Sequence, residues 1–175
     1  MSESADRPGE NVAGEADAAN CAGKYMTFKL TNECYGLGIL DVREIIRLMD
    51  ITPIPRVAGH ISGVINLRGS VIPIMDLRVR FGMPRTEPTD QTVIIVVQHR
   101  GRDGGVTMGI LVDEVMEVLD IAAGQIAPPP ELGDSEAFAD FVLGVGKVES
   151  RVVFLLDIGK VIHSPEVLEI AGART

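Results

Sequence analysis

The sequence predicts a mainly β fold: two five-stranded β-barrel subdomains with short helices and a disordered N-terminal tail. Three observations lead there. From Lys24 onward, short aliphatic segments alternate with turn residues in the manner of strands and hairpins. The pattern occurs twice. "GIL" at Gly38 recurs at Gly109, and "GVINLRGSVIPIMDL" from Gly63 is matched by "GVGKVESRVVFLLDI" from Gly144, with Asp76 and Asp157 closing the matched segments. So many aliphatic strands would also leave sticky edges in open sheets, and closing each set into a barrel removes them.

Residues 1–23 hold five acids (Glu3, Asp6, Glu10, Glu15, Asp17), one Arg7 and little to bury. Such a composition cannot offset the entropy of ordering, so a disordered acidic tail is expected. "KYMTFKL" and "CYGLGIL" read as a hairpin turning at "NE". In "DVREIIRLM", Val42, Ile45, Ile46 and Met49 have helical spacing. The β-branched content and the repeat nevertheless assign this segment, and "VDEVMEVL" after it, to strands. "GVINLR" and "SVIPIM" form a second hairpin across Gly69, and Pro73 inside it implies an edge position or a bulge. In "DLRVRFG", Asp76 is a helix N-cap and Gly82 a stop.

"TVIIVVQHR" is the most strand-like run, "GRDGG" a turn, and "AAGQIAPPPELGDSEAFAD" a long proline-bearing loop. "FVLGVGKV" and "RVVFLLDIGKVI" complete the second set. The expected organisation is one domain over 24–162, divided near 24–90 and 91–162, with the N-terminal strand open to exchange between the halves. A short C-terminal helix and tail follow over 163–175.

Composition narrows the function. Hydrophobic residues make up 46% of the 175, so a core can form, but aromatics are only 4%, leaving Val, Ile, Leu and Met to fill it. A formal charge of −9 argues against a nucleic-acid footprint and against docking on an anionic membrane. Cys21 and Cys34 stand apart with no CxxC, as free thiols of a reducing compartment. No run approaches the roughly 18 apolar residues of a membrane span, and no basic-then-apolar signal is present. The expected location is the cytoplasm.

No active site is visible. His60, His99 and His163 lack a partner at metal-site spacing and read as loop or solvent-facing residues. "GHISG" has its serine one place too late for a nucleophile elbow, and "GVGKV" has Val where a phosphate loop needs Ser or Thr. Asp113, Glu114 and Glu117 form an acidic cluster of one sign, read as a solvated face. Neither a catalytic residue, a metal nor a cofactor is therefore expected.

The weight moves to binding, and to Arg68, a guanidinium between two aliphatic segments. At the turn it projects from the hairpin rim, either as a solvated turn residue or as an anchor for a partner's carboxylate or carbonyl. As strand residues two apart, Val42 and Glu44 share a face and supply an apolar contact and an opposite charge beside it. A competing reading, a small-barrel nucleic-acid binder, needs a basic, aromatic-bearing face that this sequence does not offer.

"CYGLGILDVREII", "GVINLRGSVIPIMDLRVRFG", "GILVDEVMEVLDI" and "QIAPPPELG" together resemble the CheW family of bacterial chemotaxis coupling proteins. The resemblance covers about Tyr25 to Ile162. It implies two five-stranded barrels around a shared apolar interior and a non-catalytic adaptor, monomeric in isolation. The implied partners are the tips of methyl-accepting chemoreceptors and the regulatory domain of the histidine kinase CheA. It further implies receptor contact through Val42, Glu44, Arg68 and Val118, and kinase contact at Ile45 and Leu132. Ala127 stands where some members carry a basic residue, which implies a weaker or differently paired second interface with the kinase. CheA adds a kinase domain and CheV a receiver domain, and neither fits in 175 residues, so a stand-alone adaptor recruited to receptor arrays is expected.

Overall fold

A computed structural model describes residues 21–101, 104–129 and 136–162. The expected C-terminal helix and tail lie outside the described residues, as does the expected disordered tail apart from its last three residues. The first strand begins at Gly23, inside the span assigned to that tail.

The first half of the chain forms β1 (Gly23–Leu30), β2 (Glu33–Gly38), β3 (Val42–Arg47), β4 (Ile61–Leu67), β5 (Ser70–Asp76) and α1 (Leu77–Arg80). The second half forms β6 (Val93–Gly101), β7 (Gly104–Val112), β8 (Glu114–Ile121), β9 (Ile126–Ala127), α2 (Glu136–Ala139), β10 (Val142–Val148), β11 (Arg151–Leu156) and α3 (Ile158–Ile162). Both segments with ambiguous periodicity, β3 and β8, are strands.

Two-residue turns set the hairpin registers. Leu30 pairs with Glu33, Leu67 with Ser70, and Val148 with Arg151. Each turn opens on a left-handed residue: Thr31 (φ 59°), Arg68 (φ 53°) and Glu149 (φ 58°). The first turn is therefore Thr31–Asn32, one residue earlier than "NE". Asp76 caps α1, its Oδ1 accepting from the amides of Arg78 (3.0 Å) and Val79 (3.4 Å). Pro73 lies opposite Val64 on β4, while the parallel pairing of β5 with β7 starts only at Ile74. At Pro73 the strand is thus locally an edge, and no ladder bond is lost.

The strands form two sheets, the first in the order β3-β6-β7-β5-β4 and the second in the order β8-β1-β2-β11-β10-β9. The repeat is real, but its halves interlock. Each half gives its opening hairpin to the other's sheet: β1–β2 join β8, β10 and β11, while β6–β7 join β3, β4 and β5. The barrels consequently do not coincide with 24–90 and 91–162, and the exchanged unit is a hairpin in both directions. Parallel pairs, β2 with β11 and β5 with β7, stitch each donated hairpin into place.

Both sheets close in the same way. In the first, Thr52 beyond β3 exchanges two backbone bonds with Val64 of β4, at 2.8 and 2.9 Å. In the second, β8 runs through the 3-10 turn Ala123–Gln125 into β9, where Ala127 pairs with Val145 of β10. A bulge precedes each closure, between Ile61 and Gly63 and between Val142 and Gly144.

Three apolar clusters follow from this arrangement. Ile65, Ile72, Ile74, Ile94 and Val96 fill the first barrel, and Tyr25, Ile121, Val153 and Leu155 the second. The largest lies between the barrels, drawing Phe28, Leu37, Ile95, Met108 and Leu156 from both sheets. Strand β6 is buried on both faces, with Ile94 and Val96 in its barrel and Ile95 and Val97 in the shared layer, which explains its unbroken apolar run. Each such aliphatic side chain contributes roughly 1.5–3 kcal/mol relative to exposure.

The low aromatic content proves concentrated instead of marginal. Phe28, Phe81, Phe138, Phe141 and Phe154 gather around Tyr35 with neighbouring ring centroids 5.2–6.2 Å apart, at the shared layer. Burial, and then the Glu33 carboxylate, hold the Tyr35 phenol far above its ordinary range. Burial also pushes Tyr25 up to about 12, with Cys21 and Asp41 adding to it. These protons stay on in the folded state and leave near 10 in the unfolded chain. The stability they confer is complete below pH 10 and is lost as pH rises from 10 toward 12. Ultraviolet titration of the folded protein is expected to show no phenolate at about pH 10.5, and both tyrosines titrating near 10 in denaturant.

Candidate partner-binding surface

The arginine between two aliphatic segments sits at the tip where they turn back on each other. Arg68 (φ 53°) and Gly69 (φ 89°) are both left-handed, the geometry of a type I′ turn. Asn66 Oδ1 accepts from the Gly69 amide at 3.0 Å and braces the turn. The Arg68 guanidinium then reaches across the barrel mouth to β3, donating twice to Glu44, each at 2.8 Å. Its side chain keeps 70% exposure, against 28% for Glu44. Hydrogen bonds from Arg68 hold the Glu44 carboxyl below the usual range, and the positive charges of Arg68 and Arg43 reinforce this.

The pair spans an opening of about 270 Å³ lined by Arg43, Leu67, Val71, Ile72, Val96 and Thr107. Because β3 and β4 are the two ends of the sheet, this opening is the part of the seam that the Thr52–Val64 bonds do not close. The site thus offers a fixed ion pair at the rim and aliphatic side chains below it. Among the described residues no group of three His, Cys, Asp or Glu is placed to hold a metal ion.

The other expected site residues fall into different places. A bulge between Val42 and Glu44 sets Val42 opposite Val97 and Glu44 opposite Val96. Val97 belongs to the shared layer and Val96 to the barrel interior. The two residues therefore lie on opposite faces, not on one, because the extra residue, Arg43, shifts the alternation. Val42 packs against the shared layer. Ile45 is 39% exposed on β3, and Val118 is 46% exposed on β8 of the other sheet, opposite Met26. Ala127 occupies the closing strand β9. Leu132 lies outside the described residues, as does His163.

The acidic cluster is not a bare solvated face. Asp113 pairs with Arg78 at 3.0 Å, and Glu117 with Arg151 at 2.6 Å. The second pair links β8 to the start of β11, so each barrel carries an acid–arginine bond from its third strand to its last hairpin. The repeat held the clue in Glu149, the counterpart of Arg68 with a similar left-handed φ, which places Arg151 directly after the turn. His99 is half-buried on β6, its ring so close to α3 that a Cβ on Gly159 would lie 2.7 Å from Nε2. Packing against α3, not a loop or solvent, surrounds it.

Comparison with known proteins sharpens the picture. The CheW-like domain family matches residues 24–166. The chain belongs to the CheW family. Chemotaxis protein CheW of Klebsiella aerogenes is 38% identical over 160 residues, covering 89% of this chain and 93% of that protein. Chemotaxis protein CheW of Thermotoga maritima is 30% identical over 145 residues, covering 82% and 90%. Among solved structures, the scaffolding protein TtCheW from Thermoanaerobacter tengcongensis superposes with a TM-score of 0.72 at 33% identity, covering 83% of this chain and 95% of that one. The CheW fold, with its paired barrels, is the architecture built above from the repeat.

Proposed function

We propose that this chain is a non-catalytic chemotaxis adaptor that couples the cytoplasmic tips of chemoreceptors to the histidine kinase CheA. The observation that carries this reading is the CheW-family match over residues 24–166. The exposed acid–arginine rim is what an adaptor needs, a directional polar anchor beside apolar contact area. Receptor contact falls to Arg68, Glu44, Val118 and the remaining exposed edge of Val42. Kinase contact falls to Ile45 and Leu132. The protein works in the cytoplasm at the inner face of the membrane, where receptor arrays lie; among the described residues no helix is long and apolar enough to cross it. Each contact is moderate, and strength comes from simultaneous engagement in the array.

Arg68→Asp tests the assignment. It reverses an exposed charge, leaving the unfolding midpoint almost unmoved. Capture of a receptor tip fragment is expected to fall about tenfold or more, with reconstituted kinase stimulation falling alongside it. Unchanged capture together with unchanged stimulation sinks the role given to Arg68.

A further inference from the structure

Besides the mouth spanned by Arg68 and Glu44, the first barrel carries a larger open cleft of about 520 Å³. It lies where β4 begins, where β5 ends at Asp76, and where the segment after β3 runs toward the Thr52–Val64 closure. Ser62 in its lining stands six residues before Arg68, roughly 20 Å along an extended strand, so the cleft is separate from the partner-binding rim. Leu48, Met49 and Ile51 give it an apolar wall, continued by Leu111, which lies opposite Asp76 on β7. Its size falls within the roughly 300–1,000 Å³ of small-molecule sites.

The polar side of the cleft is incompletely paired. Asp76 is 7% exposed. Its Oδ1 accepts the two α1 amides, but Oδ2 has only Arg85 Nη1, at 3.9 Å and so beyond hydrogen-bond distance. Arg85 donates to the Gly59 carbonyl through Nη2, and its side chain is 55% exposed. Ser62 Oγ is buried with no hydrogen-bond partner among the described residues. A buried carboxylate and a guanidinium thus stand side by side without closing on each other, next to an aliphatic wall. Asp50 is the remaining charged residue of the lining.

We propose that this cleft binds a free aliphatic α-amino acid, its ammonium held by Asp76 Oδ2 and Ser62 Oγ, its carboxylate by Arg85, and its side chain against Leu48, Ile51 and Leu111. The choice of a zwitterion follows from the loose ion pair. An amine alone would take Asp76 from Arg85 and leave the guanidinium unmatched, and a carboxylate alone would do the reverse. A ligand whose opposite charges are neighbours replaces one long contact with two charge-assisted bonds. The wall adds a preference for an aliphatic arm. Because the cleft is open to solvent, an affinity of about 1 mM is expected.

The experiment titrates the full chain with L-leucine, 4-methylpentanoate (no ammonium), 3-methylbutylamine (no carboxylate) and glycine (no aliphatic arm), by calorimetry and amide NMR. Leucine at about 10 mM is expected to raise the thermal midpoint by about 3–5 °C and to shift the amides of Ser62 and Leu111. Each of the other three should bind at least tenfold more weakly. Arg85→Gln should lose leucine binding tenfold or more. Ser62→Ala removes no hydrogen bond of the fold, so it should unfold as wild type does while binding leucine about threefold more weakly. Binding of 4-methylpentanoate or 3-methylbutylamine as tight as that of leucine overturns the zwitterion. Equal stabilisation by glycine, or leucine binding unchanged in both variants, overturns the site itself.

Discussion

Gly63→Ala is expected to lower the thermal midpoint by about 10 °C or more, the largest effect of any single methyl addition considered. A Cβ at this position would lie 2.1 Å from the Thr52 carbonyl oxygen and 2.7 Å from its carbon. Those atoms are backbone, and the same carbonyl accepts the Val64 amide that closes the first barrel. Gly63 also adopts φ 145°, which L side chains avoid. Alanine must therefore either break the closure or strain it, at roughly 3 kcal/mol or more. For a chain of this size each kcal/mol is worth about 2–4 °C. The second barrel supplies an internal comparison. Gly144 stands at the matching bulge, but its Cβ would meet Ala127 O and Ile126 Cγ2 at 2.9 Å, and its φ is not left-handed. Gly144→Ala should cost clearly less. Equal midpoints for the two variants would show that seam closure at Gly63 is not the source.

The second large effect is expected at Arg78. Its side chain is only 11% exposed and joins three elements at one point. Its Nη1 donates to Thr31 Oγ1 at 2.7 Å and to Asp113 Oδ2 at 3.0 Å, while the Thr31 amide donates to the same carboxylate oxygen at 2.7 Å. Thr31 opens the β1–β2 turn at φ 59°, an unfavourable place for a β-branched residue. The network holds it there and ties the donated hairpin to α1 and the β7–β8 junction. Arg78→Met keeps much of the volume and removes the charge. It leaves a half-buried carboxylate without its cation and Thr31 without one of its tethers. A loss of about 2–4 kcal/mol is expected in urea unfolding. In an Asp113→Asn background the same substitution should cost at least 1 kcal/mol less, because the interaction it removes is already weakened. Equal costs in both backgrounds would assign the effect to packing alone.

What the sequence disclosed and what it withheld divide by range. The turn at Arg68–Gly69 and the Asp76 cap depend on neighbours within a few positions, and both were legible, while the strand character of β3 and β8 was read from β-branched content and the repeat against a helical local spacing. The repeat itself was legible, since "GVINLRGSVIPIMDL" and "GVGKVESRVVFLLDI" fold into the same hairpin-and-helix unit. The hairpin exchange was not, because a β2 of alternating apolar residues fits beside β5 as plausibly as beside β11 until both barrels are assembled. The partners of Asp113 and Glu117 were missed for the same reason: Arg78 and Arg151 lie 35 and 34 positions away in the chain. At the candidate site, Arg68 and Glu44 could be named in advance, but the bulge that turns Val42 from Glu44 is a one-residue slip without a glycine to announce it. The gathering of all five phenylalanines around Tyr35 left no local trace either.

The reciprocal trade of hairpins has a consequence for how such a molecule could arise. A single repeat, folded alone in this topology, lacks the two strands that complete its own ring, and a second copy would have to lend them. The present chain has the architecture of an intertwined dimer whose two halves are joined in one polypeptide. The two acid–arginine bonds, Arg68–Glu44 on one barrel and Arg151–Glu117 on the other, then read as variants of one tie repeated across the join.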